Sequence, residues 1–355
     1  MKRIDQVVAI DLGGRQTKAV HIQNKGERLA LLGFAIQDLP GPEKADKPLS
    51  ADALGNHLKN LLKPLGDRTR LATLAVGMPD AFLRHAELPP MPIPDMRQML
   101  KLNSKAYLQQ EMPDHVFDCS IIVSRGPVPP TVDASKPAPP SSNLQKQRVL
   151  VGGAKRQTLE VLKTACKVAG IAPHQITPGM VGPANALEVA EPEVFAKEVV
   201  ALVDIGFKNT TITMLRNGEL AMNRVVTIGG DRITAGLSES LGISYAEAEG
   251  IKLGMPGEVQ QHLEPVIASL GRELRASIDF FEHQQDVTVG TVFLSGGTAR
   301  SEFIVRTLQT ELMVPCKVWN PAKSLQLSLP ADQMAGLEQA APQLAVAIGA
   351  AIAAF

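Results

Sequence analysis

Two short stretches place an aspartate two residues before a glycine, between two runs of β-favouring residues. They are Asp11-Leu12-Gly13 in VVAIDLGGRQTKAVHI and Asp204-Ile205-Gly206 in VVALVDIGFKNTTITML. Glycine at a hairpin tip lets the main chain approach an anion and offers its amide as a donor. An aspartate at the strand end can hold Mg2+ through water. Asp11, Gly13 and Gly14 at one turn, with Asp204 and Gly206 at the other, therefore read as two halves of a phosphate clamp. Asp11 and Asp204 are its metal-side carboxylates. One Asp-Gly turn is a common hairpin; two at matching places in two similar units form a more specific pattern. Lys18 lies on the strand leaving the first turn, where it either points back toward a phosphate or stands exposed. Thr210 and Thr211 follow the second turn, and either a phosphate contact or plain β-propensity accounts for them.

Two further groups can hold the rest of a nucleotide. Glu249 and Lys252 lie three residues apart in YAEAEGIK, on one helix face. They suit ribose hydroxyls and an adenine edge, or equally an i,i+3 ion pair. Ser295-Gly296-Gly297-Thr298 ends a strand before a helix; Gly296 and Gly297 offer a flat surface for a base, with Arg300 in reach. The seven histidines (21, 57, 85, 115, 174, 262 and 283) have no metal-ligand spacing and read as structural or surface groups.

The elements that must position these residues form an internal echo. Each Asp-x-Gly hairpin is followed by a third β-rich run, Leu29 to Ala35 and Glu219 to Thr227, so two three-stranded meanders predict two related units. Ala51 to Leu65 has helical spacing and 71–79 reads as a buried strand. After the second meander come helices over Thr234 to Leu241, Tyr245 to Leu253 and His262 to His283. The last carries apolar residues every three or four positions. The strand 291–297 and the helix Ser301 to Leu312 complete that unit. The segment 81–178 interrupts the first unit and reads as a small α/β module: a helix over Asp95 to Glu111, strands over Phe117 to Ser124 and Gln147 to Ala154, and a helix over Thr158 to Ala169 ended by Gly170. Residues 125–143 are rich in Pro and Ser and read as a mobile loop.

Composition excludes several classes. Lys+Arg and Asp+Glu both number 36 in 355 residues, so no broad positive field marks a nucleic-acid binder. Apolar residues make up 45% and charged residues 20%, as in soluble globular chains. Cys119, Cys166 and Cys316 form no disulfide framework and read as free thiols in a reducing compartment. The N-terminus is too polar for a signal peptide, and no apolar run is long enough to span a membrane. The apolar tail Leu344 to Phe355 reads as a buried helix.

The order of Asp-Gly hairpin, second Asp-Gly hairpin, Glu-x-x-Lys helix and Gly-Gly turn resembles the actin, sugar-kinase and Hsp70 superfamily of ATPases. Its phosphate-1, phosphate-2 and adenosine motifs are similar to the two hairpins and SGGTAR. Within it, TIGGDRITAGLSESLGISYAEAEGIK (227–252), LEPVIASLGRELRASIDFF (263–281), VPCKVWNP (314–321) and LAVAIGAAIAAF (344–355) resemble the PilM family of type IV pilus assembly proteins, relatives of FtsA.

This resemblance implies an α/β, actin-like (ribonuclease H-like) fold with an FtsA-type inserted subdomain. Domain 1A would take 1–80, 179–195 and 335–355. Subdomain 1C would take 81–178, and domain 2 would take 196–334, with 2B around 228–285. It implies ATP and Mg2+ as ligands, and a cytoplasmic adaptor recruited to the inner-membrane face. The tail of a PilN-like inner-membrane protein would dock in a groove near the insert, with the pilus motor ATPase and self-association as further partners. Arg15 and Gln16 depart from the small or hydroxyl residues usual in phosphate-1; Arg15 either adds a phosphate contact or crowds the loop. Lys208 and Asn209 depart likewise in phosphate-2. The segment 177–187 offers Asn185 but no Gln, His or carboxylate before Glu188 to position water, so at most slow ATP turnover is expected. An FtsA-like filament former and a small-molecule kinase of the same fold are the alternative functions.

Overall fold

The computed structural model describes residues 4–40, 49–66, 70–122, 146–254 and 256–355. The Pro-rich segment 125–143 lies outside them. The chain opens with β1 (Gln6–Leu12), β2 (Gln16–Asn24), β3 (Leu29–Asp38), α1 (Ala51–Leu62) and β4 (Leu71–Val76). An inserted module follows: β5 (Ala81–Leu88), α2 (Ile93–Leu102), α3 (Ser104–Leu108), β6 (His115–Ile121) and β7 (Gln147–Lys155). The path returns through α4 (Arg156–Ala169), β8 (Ala172–Pro178), α5 (Gly182–Ala190) and α6 (Pro192–Lys197). The second unit holds β9 (Val199–Ile205), β10 (Thr210–Arg216), β11 (Glu219–Val226), α7 (Gly230–Leu241), α8 (Tyr245–Gly254), α9 (Gln260–Gln285), β12 (Thr291–Ser295), α10 (Glu302–Leu312) and β13 (Cys316–Val318). Then come β14 (Gln326–Leu327), α11 (Ala331–Ala340) and α12 (Ala345–Ile352).

The described residues form three sheets. One has six strands in the order β14-β3-β2-β1-β4-β8, one has five in the order β11-β10-β9-β12-β13, and the insert has three in the order β5-β7-β6. The echo in the sequence is thus an echo in topology, with a β1-β2-β3 meander matched by β9-β10-β11. Strand β1 is apolar without alternation because both its faces are covered. Val7 and Ala9 enter one core cluster, and Val8 and Ile10 enter another beside α1 and α4. Strand β9 does the same: Val200 and Leu202 join the cluster of Val7 and Ala9, while Ala201, Val203 and Ile205 pack under α7, α9 and α10. The two units therefore share one core, completed by α5 and α12. Those helices cross where Gly182 and Gly349 face each other: a Cβ on Gly182 would lie 2.6 Å from the Val346 carbonyl oxygen, and one on Gly349 would overlap the Gly182 carbonyl.

Two boundaries differ from the sequence reading. Residues 156–178, assigned there to the insert, pack with the first unit. Strand β8 extends its sheet by pairing parallel to β4, and α4 lies on α1 so closely that a Cβ on Gly55 would come 2.5 Å from Val168. The sheet of the insert accordingly stops at Lys155. Strand β14, assigned to 196–334, pairs parallel to β3, and Trp319, Ala322 and Leu325 already lie in the shared core. The helix expected over Asp95 to Glu111 is two, α2 and α3, because Asn103 ends one and caps the next, accepting from the Ala106 amide. Gly170 ends α4 in the left-handed region as expected.

Candidate nucleotide cleft

Strands β1 and β2 run antiparallel in a register that sets Lys18 directly opposite Asp11. Cross-strand partners project to the same face, and the Lys18 ammonium donates to Asp11 Oδ2 at 3.0 Å. The tip between them is Gly13-Gly14-Arg15. A Cβ on Gly13 would come 2.6 Å from the Gln16 carbonyl oxygen and 2.7 Å from Lys18 Nζ, so the tip closes only around glycine. Burial alone would lower the Lys18 pKa; the Asp11 carboxylate and the Asp204 charge outweigh it and hold the ammonium above the usual lysine range.

The second hairpin repeats the construction. Asp204, next to last in β9, lies beside Ser295 of β12, whose hydroxyl donates to Asp204 Oδ1 at 2.8 Å. Loss of hydration raises the Asp204 pKa; the Ser295 bond and Lys18 pull it down, and Asp11 pushes it further up. Asp11, Lys18 and Asp204 thus form one charged group drawn from both hairpins. The second tip runs from Gly206 to Asn209, where a Cβ on Gly206 would come 2.8 Å from the Asn209 carbonyl oxygen. The tips meet: Gly14 faces Phe207 and Lys208, with Cβ distances of 3.7 and 3.9 Å to their side chains.

Thr210 departs from the expected phosphate contact. It is fully buried and its hydroxyl donates to the Ile228 carbonyl at 2.7 Å. The register sets Thr211 opposite Asp204 and Thr210 opposite Ile205, so Thr211 shares the face of the carboxylate.

Glu249 and Lys252 come together on α8 as the spacing requires, Nζ to Oε2 at 2.7 Å. Lys252 is buried and also donates to the Gly230 carbonyl at 3.2 Å and the Thr234 hydroxyl at 2.7 Å. Burial lowers its pKa, with Glu249 opposing the shift. The Glu249 carboxyl would rise on burial; hydrogen bonds from Lys252 and Thr234, with the charges of Lys252 and Arg15, hold it below the usual range. Gly230 opens α7 against the Gly206 carbonyl, and a Cβ there would lie 3.5 Å from Lys252 Nζ and overlap the Thr298 hydroxyl. The Gly296–Thr298 turn, the α7 N-terminus and the Glu249–Lys252 pair are therefore neighbours. Gly296 adopts φ of 94°, and its amide donates to the Pro342 carbonyl at 2.8 Å. Arg300 is exposed and lines a 590 Å³ depression with Glu302, Arg306 and Glu338.

Ser295, Thr234 and the Gly229-Gly230 pair were assigned no role from sequence. The paired glycine before a helix start is the signal that marks the last, since free amides gather there. Among the described residues no cluster of three or more His, Cys, Asp or Glu forms a metal cage. The donor set of two carboxylates beside glycine tips fits a metal that brings its own water and phosphate ligands.

Comparison with known proteins bears on the fold and the family. The family model for type IV pilus assembly protein PilM matches residues 133–355. A solved PilM–PilN type IV pilus biogenesis complex superposes with a TM-score of 0.81 at 22% identity, covering 99% of each chain. Ethanolamine utilization protein EutJ from Carboxydothermus hydrogenoformans superposes with a TM-score of 0.55 at 16% identity, covering 99% of this chain and 90% of its own. Cell division protein FtsA of Bacillus subtilis (strain 168) is 47% identical over 53 residues, 15% of this chain, so the chain spans 12% of that curated relative's length. The fold is actin-like, with its two units joined at the crossing of α5 and α12. With the family model covering more than half of the sequence and the fold agreeing from end to end, this chain belongs to the PilM family of type IV pilus assembly proteins.

Proposed function

We propose that this protein binds an adenine nucleotide with Mg2+ between the two hairpins, and that the bound nucleotide sets the closure of the units around it. The observation that carries this reading is the convergence of Asp11, Lys18 and Asp204 under two glycine tips in contact. Asp11 and Asp204 would hold the metal through water, and Gly13, Gly14, Gly206 and Lys18 would bind phosphate. Glu249 and Lys252 would face the ribose, Gly296 and Gly297 the base. Thr210 would contribute by holding the strand, and Arg300 lines an exposed depression beside the Gly296–Thr298 turn. The metal, when bound, neutralises phosphate charge; the chain's own groups orient it. Calorimetry tests this: wild type should bind MgATP, and Asp11→Ala should weaken binding at least roughly tenfold by removing a charged ligand. No heat with wild type would refute it.

We further propose that the chain is an adaptor at the inner-membrane face, docking the cytoplasmic tail of a PilN-like protein. The insert supplies the surface: Met91, Gln98, Met99, Leu102 and Tyr107 line a 380 Å³ depression on α2 and α3, and Leu102 is 76% exposed. A mostly apolar groove of this kind suits a short segment laid into it. No described helix is long and apolar enough to cross a membrane, so recruitment would run through the partner. A Leu102→Asp variant should lose binding of a PilN-tail peptide in fluorescence anisotropy while unfolding at the wild-type urea midpoint. Undiminished binding would move the dock elsewhere.

A further inference from the structure

Arg15 stands at the tip of the first hairpin, yet its side chain belongs to the second unit. Its Nη1 lies 3.1 Å from Glu249 Oε1 on α8, and its guanidinium carbon is 5.8 Å from the ring centroid of Phe207 on the second tip. Both landing points are braced. The Glu249 Oε2 atom is taken by Lys252 and Thr234, both buried, which leaves Oε1 turned toward Arg15. Phe207 is flanked by Lys208, 5.1 Å from the same centroid; Lys208 is fixed at 2.6 Å to Asp231, which also accepts from the Tyr245 hydroxyl at 2.8 Å. Arg15 is thus a planar cation reaching from the first tip to a pre-set carboxylate and ring.

We propose that Arg15 is a positioning residue that straps the two units across the mouth of the cleft and sets the rate at which bound nucleotide leaves. The proposal rests on the nucleotide reading above. Glu249 is a ribose-side residue in that reading, and Arg15 and Gly14 hang from the phosphate-side hairpin. Parting the units therefore requires breaking the Arg15–Glu249 pair and lifting Arg15 off Phe207. The pair is half-exposed at Arg15, with side-chain exposures of 39% and 16%. An ion pair of that exposure plus a cation–ring contact corresponds to roughly a three- to tenfold effect on a rate.

The test uses stopped-flow displacement of a fluorescent ATP analogue with Mg2+, and hydrogen exchange of the tip amides 13–16 and 207–209 without nucleotide. Arg15→Ala should raise the dissociation rate about three- to tenfold and speed exchange at both tips. Arg15→Lys should fall between, since an ammonium keeps the charge but not the planar contact with Phe207. Raising salt from about 50 to about 500 mM should speed release from wild type more than from Arg15→Ala. If wild type binds no analogue, the nucleotide reading fails, while tip exchange still reports the strap. If the analogue binds and Arg15→Ala leaves its dissociation rate unchanged, the strap proposal is overturned, whether or not exchange rises. Far-ultraviolet circular dichroism of both variants checks that they fold.

Discussion

The crossing of α5 and α12 gives the sharpest test of how the two units are joined. Gly349 lies in the interior of α12, and Asn185 of α5 donates to its carbonyl at 3.3 Å. A methyl group on Gly349 would overlap the Gly182 carbonyl, so Gly349→Ala must push the helices apart. Overpacking a close-packed core costs about 1–3 kcal/mol; a clash with backbone, which cannot rotate away, belongs at the upper end. Replacing glycine by alanine in a helix returns about 1 kcal/mol. The net expectation is a loss of ~2 kcal/mol. Gly336 is the control: it lies within α11, exposed, and a Cβ there meets nothing within 4 Å. Gly336→Ala should gain about 0.5–1 kcal/mol. The same substitution in two helices should thus change stability in opposite directions. Urea unfolding can be followed by the single tryptophan, Trp319, which is buried in the shared core against Phe293 at 6.2 Å. With a slope of about 3 kcal/mol/M, the two midpoints should differ by roughly 1 M. If Gly349→Ala unfolds at or above the wild-type midpoint, the helices do not cross as closely as described, and the account of the joint is wrong.

Two further expectations concern the cleft. The Asp204 pKa is raised above its unfolded value, so its contribution is full below the ordinary carboxylate range and is lost as pH rises through the folded pKa. Asp204→Asn, which can still accept from Ser295, should match wild type in acid and become the more stable of the two as pH climbs to neutrality. Its MgATP binding should fall; a pH-independent difference in urea midpoint would contradict the assignment. Thr210→Val should cost about 1–3 kcal/mol by leaving the Ile228 carbonyl without its donor, with MgATP affinity by calorimetry unchanged. An affinity loss there would return Thr210 to the phosphate site.

What sequence could reveal here was local. An aspartate at a strand end, a glycine tip and a lysine seven residues on are read along one hairpin, and the register that pairs Asp11 with Lys18 follows from the turn. The long α9 was legible because Leu263, Ile267, Leu270, Leu274, Ile278 and Phe281 repeat at helical spacing and all are buried. Membership of a sheet was not legible. Strand β8, APHQITP, has almost no apolar signal and joins β4 through its backbone, so nothing in its letters separates it from the insert. Thr210 and Thr211 are adjacent β-formers, and only the register decides which one faces Asp204. Arg15 showed itself as an oddity of the first turn, but its partners lie in the second unit, and their approach is a property of the folded chain.

The shared core also bears on how the chain is made. Strand β1 is synthesised first among the described elements, yet one of its faces is covered by α12, whose residues 345–351 are all buried and which emerges after every other described element. A nascent chain paused just before α12 would carry two sheets that each expose an uncovered apolar face, Val7 and Ala9 on one and Val200 and Leu202 on the other. Such surfaces invite association between neighbouring nascent chains. The shared core therefore predicts that the first unit gains its full stability only once α12 has emerged and covered both sheets. Truncations that remove α12 should yield an insoluble chain rather than a shorter working one.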